Sequence, residues 1–200
     1  MLRIPRIITK LAATLNFEDF QSIKQVLSEP KKIVIVPHRT PDGDAYGSCL
    51  ALYLYLLKDD HKVTVVSPND CPDFLKWMPA EDQIVIFEND TKNATSILEE
   101  AEIIFTLDFN ALHRVGDKMH NALMKLDPLY FMIYHHQQPD DFAKFTYVDS
   151  EVCSTCQMVY QFIEKLKQLN FIDKDIATCL YTGILTDTVS FRFPSTTILT

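Results

Sequence analysis

Five short apolar runs, at residues 33–36, 63–66, 84–87, 103–107 and 129–133, punctuate the first two thirds of the chain. Each is too short for a stable helix and rich in Val, Ile or Leu, and stretches of helical character lie between them at 48–58, 94–100 and 117–126. A strand buried on both faces reads as such a run, and a parallel neighbour needs a crossover helix to return. The alternation therefore predicts an α/β fold, a doubly wound and mainly parallel sheet with helices on both faces. Upstream, Phe20, Ile23, Val26 and Leu27 recur at helical spacing until Glu29-Pro30, so a helical lead-in over 1–30 precedes one domain over 31–200. Beyond Asp149 helices are expected at 154–169 and 174–185, with Ser154 and Asp173 as N-caps.

A 200-residue chain with 47% apolar residues can build one core of its own. Its formal charge of -8 argues against a broadly basic surface, and duplex DNA is not an expected partner. Arg3, Arg6 and Lys10 interrupt the N-terminal apolar residues, unlike a signal peptide, and no apolar run approaches the ~20 residues of a membrane span. Five cysteines without framework spacing fit a reducing compartment. These features predict a soluble cytoplasmic protein with no membrane partner, and a homodimer is compatible with them.

Open sheets of this class bind ligands at the carboxyl ends of their strands. His38-Arg39-Thr40-Pro41-Asp42-Gly43-Asp44 follows the first run, Asp108 the fourth, and His135-His136 the fifth. Asp187 stands in the polar break Thr186-Asp187-Thr188 after an apolar helix. Asp42 and Asp44, two apart in an irregular loop, can diverge to reach two ions, and Asp108 can bridge them. Imidazoles with carboxylates suit two divalent cations, Mn²⁺ ahead of Mg²⁺, and a pair of such ions serves in-line phosphoryl displacement. Taken singly, each feature has an ordinary reading: a Pro-Asp-Gly turn, a loop aspartate, a chance pair of histidines. Their convergence on three strand ends favours the metal site.

These segments resemble the four motifs of the DHH phosphoesterases, and Ser190-Phe191-Arg192-Phe193-Pro194-Ser195-Thr196-Thr197 is similar to the segment after the fourth motif in the nanoRNase/pAp phosphatase branch. The resemblance covers nearly the whole chain. It implies that His38, Asp42 and Asp108 ligate one Mn²⁺ and that Asp44, Asp108, His135 and Asp187 ligate the other. His136 would be catalytic, meeting the scissile phosphate. The implied substrates are short 5'-phosphorylated single-stranded RNA, cut to mononucleotides, and pAp, cut to AMP plus phosphate. Cyclic-dinucleotide phosphodiesterases and inorganic pyrophosphatases share the metal core.

Arg114, six residues past Asp108, is a candidate phosphate contact. Ser154 and Thr155 open a helix whose free amides either hold a phosphate or need no more than a cap. Cys153 and Cys156 have redox spacing without a second pair, and Phe74 and Trp77 either stack a base or pack. Two positions depart from the family pattern. Tyr134 replaces the aspartate of Asp-His-His, and Val189 replaces a glycine, which predicts displacement of the loop carrying Asp187 because a β-branched residue resists positive φ. The family's second, substrate-binding lobe is expected to be absent from a sequence that reaches Thr200 just past the fourth motif. A non-catalytic nucleotide- or metal-binding module is therefore the alternative.

Overall fold

The computed structural model describes residues 15, 17–136, 138, 140–194, 196–198 and 200. Arg3, Arg6, Lys10 and Ser195 lie outside them. The apolar runs become β1 (Lys32–Pro37), β2 (Lys62–Ser67), β3 (Val85–Ile86), β4 (Ile103–Leu107) and β5 (Leu129–Tyr134), joined by β6 (Phe145–Val148). All five pairings are parallel, in the order β3-β2-β1-β4-β5-β6. Winding thus proceeds outward from β1 to β3, then restarts at β4 on the other side of β1. The crevice at that reversal, beyond the carboxyl ends of β1 and β4, is where such sheets bind ligands.

Alternate strand residues feed two cores. Ile33, Ile35, Phe105, Phe131 and Ile133 pack under α1 (Phe17–Val26), α2 (Gly43–Leu56), α5 (Thr155–Lys165) and α6 (Lys174–Asp187). Val34, Val36, Ile104 and Tyr130 pack under α3 (Thr91–Glu99) and α4 (Asp117–Leu123). Leu50, Leu52, Tyr55 and Leu56 of α2 are all buried, each apolar side chain contributing about 1.5–3 kcal/mol by leaving water. This helix is apolar on nearly every side because it lies between the sheet and α6. Gly47 permits the approach: a Cβ there would lie 2.6 Å from the Cys179 carbonyl oxygen.

The structure corrects several expected boundaries. α2 begins at Gly43, not residue 48, because Asp42 caps it, accepting from the amides of Asp44 and Ala45 at 3.0 Å. The irregular loop expected around Asp44 is therefore the first helical turn. α5 ends at Lys165, near Lys167 in the left-handed region (φ 62), and a separate short turn spans Leu169–Phe171. α6 runs on to Asp187, since Thr186 satisfies its hydroxyl on the Thr182 carbonyl at 2.9 Å instead of breaking the helix. β6 was not expected, although Phe145-Thr146-Tyr147-Val148 has the aromatic and β-branched content of a strand. Ser154 and Asp173 are the N-caps that the sequence predicts. Among the described residues, no helix is long and apolar enough to cross a membrane.

Candidate metal centre

Every motif residue reaches the crevice from the end of an element. β1 delivers His38, the cap of α2 is Asp42, and the first turn of α2 carries Asp44, which is buried. β4 delivers Asp108, whose φ of 64 turns the chain sharply while its amide donates to the Ile133 carbonyl at 3.0 Å. Aspartate tolerates that left-handed conformation better than most residues. β5 delivers His135 and His136, and the last turn of α6 delivers Asp187.

Asp108 divides its carboxylate between two groups. Its Oδ2 lies 3.5 Å from His38 Nε2, and its Oδ1 lies 3.7 Å from His135 Nε2 and 3.8 Å from His136 Nε2. His135 Nε2 is also 3.8 Å from Asp44 Oδ2 and 3.6 Å from Asp187 Oδ2. His38, Asp42 and Asp108 each place a ligand atom within 4.8 Å of the others, and so do Asp44, His135 and Asp187.

Backbone carbonyls orient two of the imidazoles. His38 Nδ1 is 2.8 Å from the Arg39 carbonyl and His135 Nδ1 is 3.3 Å from the Val152 carbonyl. A carbonyl only accepts, so each Nδ1 carries a hydrogen and Nε2 is the ring atom turned toward the carboxylates. Nε2 of His38 and of His135 stands 3.5 to 3.8 Å from these carboxylate oxygens, a spacing that a divalent cation could bridge. The Val152 carbonyl is thus an outer contact of His135.

The charges agree with that reading. Asp44 is pushed well above the usual carboxylate range by burial and by repulsion from Asp108, against the pull of the Cys156 and Thr155 amides. Asp187 is pushed up to about 6 by burial, with His135 opposing and Asp108 and Asp42 adding repulsion. Burial would lower His38, but the neighbouring Asp108 carboxylate and the Arg39 carbonyl raise it above the ordinary imidazole range. His136 is pushed down by burial, then by the charges of His135 and, against Asp108, of Arg114. Crowded, partly buried carboxylates of this kind are what a bound cation neutralises.

Arg114 is an exposed residue of the turn Leu112–Val115, near enough for its charge to act on His136, and its carbonyl accepts from Arg39 N at 2.8 Å. Ser154 and Thr155 do not offer themselves to a substrate: both are fully buried, Ser154 accepting from Gln157 N at 3.1 Å and Thr155 bonded to Asp44 and Asp108. The helix amides there are taken by Asp44. Val189 does enter the left-handed region, at φ 48, yet Asp187 is not displaced from His135. Cys153 and Cys156 are buried free thiols that burial pushes up, so their spacing makes no redox centre. The contacts of Val152 and Cys156 run through backbone atoms, which residue type does not advertise. The cap at Ser154 is the signal that could have exposed the second of them.

Residues 32–184 match the family model described as DHH family, N-terminal domain. The chain is 31% identical over 183 residues to the bifunctional oligoribonuclease and PAP phosphatase NrnA of Thermus thermophilus, covering 90% of this chain and 51% of that protein. It is 23% identical over 182 residues to the cyclic-di-AMP phosphodiesterase PdeA of Listeria monocytogenes, covering 86% and 27%. The crystal structure of an exopolyphosphatase-related protein from Bacteroides fragilis matches with a TM-score of 0.89 at 37% identity, covering 94% of this chain and 55% of that one. The chain thus spans about half the length of the Thermus relative. With the motif residues gathered around Asp108 and the match running through most of the chain, this protein belongs to the DHH family, of which it carries the N-terminal domain.

Proposed function

We propose that this domain is the metal-bearing lobe of a two-metal phosphoesterase that cuts short 5'-phosphorylated oligoribonucleotides to mononucleotides and pAp to AMP plus phosphate. The observation that carries the reading is the split Asp108 carboxylate, one oxygen toward His38 and the other toward His135 and His136. His38, Asp42 and Asp108 would hold one cation, and Asp44, Asp108, His135 and Asp187 the other. The mixed donor set favours Mn²⁺, with Mg²⁺ the competing ion. When bound, the cations would polarise a phosphoryl oxygen and lower the pKa of water.

The remaining work falls to the chain's own residues. His136, with 61% of its side chain exposed, stands at the mouth of the crevice and offers a ring N–H to a phosphate oxygen. Arg114, near enough for its charge to act on His136, would supply a cationic fork for a second phosphate or the 5'-phosphate. Asp42 uses Oδ1 to cap α2, leaving Oδ2 for metal. The oligoribonuclease and PAP phosphatase name of the Thermus relative supports the substrate class. A cytoplasmic location and single-stranded, not duplex, nucleic acid accompany this reading.

The test is Mn²⁺-dependent release of phosphate from pAp and of AMP from a 5'-phosphorylated diadenylate, with Asp108→Ala alongside and a cyclic dinucleotide and pyrophosphate as competitors. Turnover that vanishes in Asp108→Ala supports the proposal, and the competitors rank the substrates. Because the chain spans about half of the Thermus relative, a second reading is concrete. Metal-dependent binding of pAp without turnover would make this domain a nucleotide- or metal-binding module.

A further inference from the structure

Thr155 touches two carboxylates of the centre at the oxygens that face His135. Its hydroxyl donates to Asp108 Oδ1 at 2.8 Å and its amide donates to Asp44 Oδ2 at 2.6 Å. Those oxygens lie 3.7 and 3.8 Å from His135 Nε2. The next amide, of Cys156, holds the other oxygen of Asp44 at 2.9 Å. Ser154 caps α5 and so fixes where these amides point, and the positive end of an 11-residue helix favours the anion it meets. Asp108 Oδ2, on the far side, faces His38 at 3.5 Å.

Resting on the two-metal reading above, we propose that Thr155 is a positioning residue for the second cation only. The terminal torsion of an aspartate is broad, so backbone and rotamer alone do not settle how the carboxylate plane is turned between the two sites. The Thr155 hydroxyl settles it for Asp108, occupying one lone pair of Oδ1 and leaving another for the cation at Asp44, His135 and Asp187. Without the hydroxyl, Asp108 is free to turn both oxygens toward His38 and Asp42, and the second site loses its shared ligand. The first site keeps Oδ2 in either case.

Two substitutions separate this role from packing. Thr155→Val keeps the shape and loses the hydroxyl, whereas Thr155→Ser keeps the hydroxyl and loses the methyl. Mn²⁺ binding is followed by calorimetry for stoichiometry and by electron paramagnetic resonance, which distinguishes an isolated ion from a spin-coupled pair. The wild-type chain is expected to take two ions in two steps. Thr155→Val should weaken the second step by about 10- to 100-fold, leave the first unchanged and lose the coupled signal at metal concentrations that saturate the wild type. Thr155→Ser should restore both. A Val variant that pairs its ions like the wild type overturns the proposal, as does equal weakening of both steps or a Ser variant as poor as Val. A wild-type chain that takes one ion overturns the two-metal reading itself, and this assignment with it.

Discussion

His135 Nε2 stands 3.6 Å from Asp187 Oδ2, held there because its Nδ1 is tied to the Val152 carbonyl. That separation is too long for a hydrogen bond, so the imidazole only partly offsets the burial of Asp187 and its repulsion by Asp108 and Asp42. Without metal, the last turn of α6 presents a carboxylate under strain of charge.

The consequence is a pH dependence of stability. The carboxyl of Asp187 sits at about 6 in the folded chain, above its ordinary value of 3.8, so folding favours its protonated form. The stability this provides is complete below the ordinary value and is lost as pH rises through about 6. In chelator, Asp187→Asn should therefore gain thermal stability over the wild type on going from about pH 5 to about pH 7.5, by on the order of 1 kcal/mol after solvent screening. The difference between the two melts cancels His61, which burial lowers and which acts in the opposite sense. Saturating Mn²⁺ should reverse the order, stabilising the wild type more. Parallel melts across this pH range would contradict the electrostatic account.

Tyr134 is fully buried and its hydroxyl has no hydrogen-bond partner among the described residues. An unmet buried hydroxyl costs about 1–3 kcal/mol, so Tyr134→Phe should be neutral or stabilise the fold by up to about 1 kcal/mol. Mn²⁺ affinity should not change, since His135 takes its orientation from Val152. Melts and metal titration check this, and a loss of affinity in the Phe variant would assign Tyr134 a part in the site. Tyr134→Asp, which restores the family's residue, should lower the melting temperature by burying a carboxylate.

Gly183 lies where α6 crosses the start of α5. A Cβ there would overlap Cys156 Sγ and lie 2.9 Å from Asp44 Oδ1. Gly183→Ala should cost about 1–3 kcal/mol by overpacking and weaken the cation site at Asp44. Adding Cys156→Ala should recover part of the stability, and denaturant unfolding of the single and double variants measures the coupling. Additive losses would place the strain elsewhere.

Val189, Ser190 and Phe191 succeed one another at φ 48, 58 and 62. An L-residue in this region costs roughly 1–2 kcal/mol, and a β-branched one is a marked outlier. Val189 is half exposed, so its side chain gains little from burial. Val189→Gly should raise stability by up to about 1 kcal/mol, the relief of strain exceeding the entropy that glycine adds to the unfolded chain. A lower melting temperature would mean that contacts of the valine outweigh the strain.

Fold class and the candidate ligand residues were legible for related reasons. Ile33, Ile35 and Phe105 write their burial into residue type, and His38, Asp108 and His135 stand one residue or so beyond such runs. The cap at Asp173 was equally local. The start of α2 was not, because Pro41-Asp42-Gly43 reads as a turn until Asp42 is seen accepting from Asp44 and Ala45. Thr186 and Asp187 stayed helical against their polarity because α6 packs along α2. Thr155 read as an open phosphate contact because nothing near it in the chain announces Asp44 and Asp108.

By itself the sequence determined the alternation of strand and helix and the set of imidazoles and carboxylates at the strand ends, since both arise from side chains and their immediate neighbours. Only the tertiary structure decided the strand order, the division of Asp108 between two groups of ligands, and the burial of the α5 amides under Asp44. Those contacts join residues as far apart as 112 positions, a separation across which no local periodicity carries information.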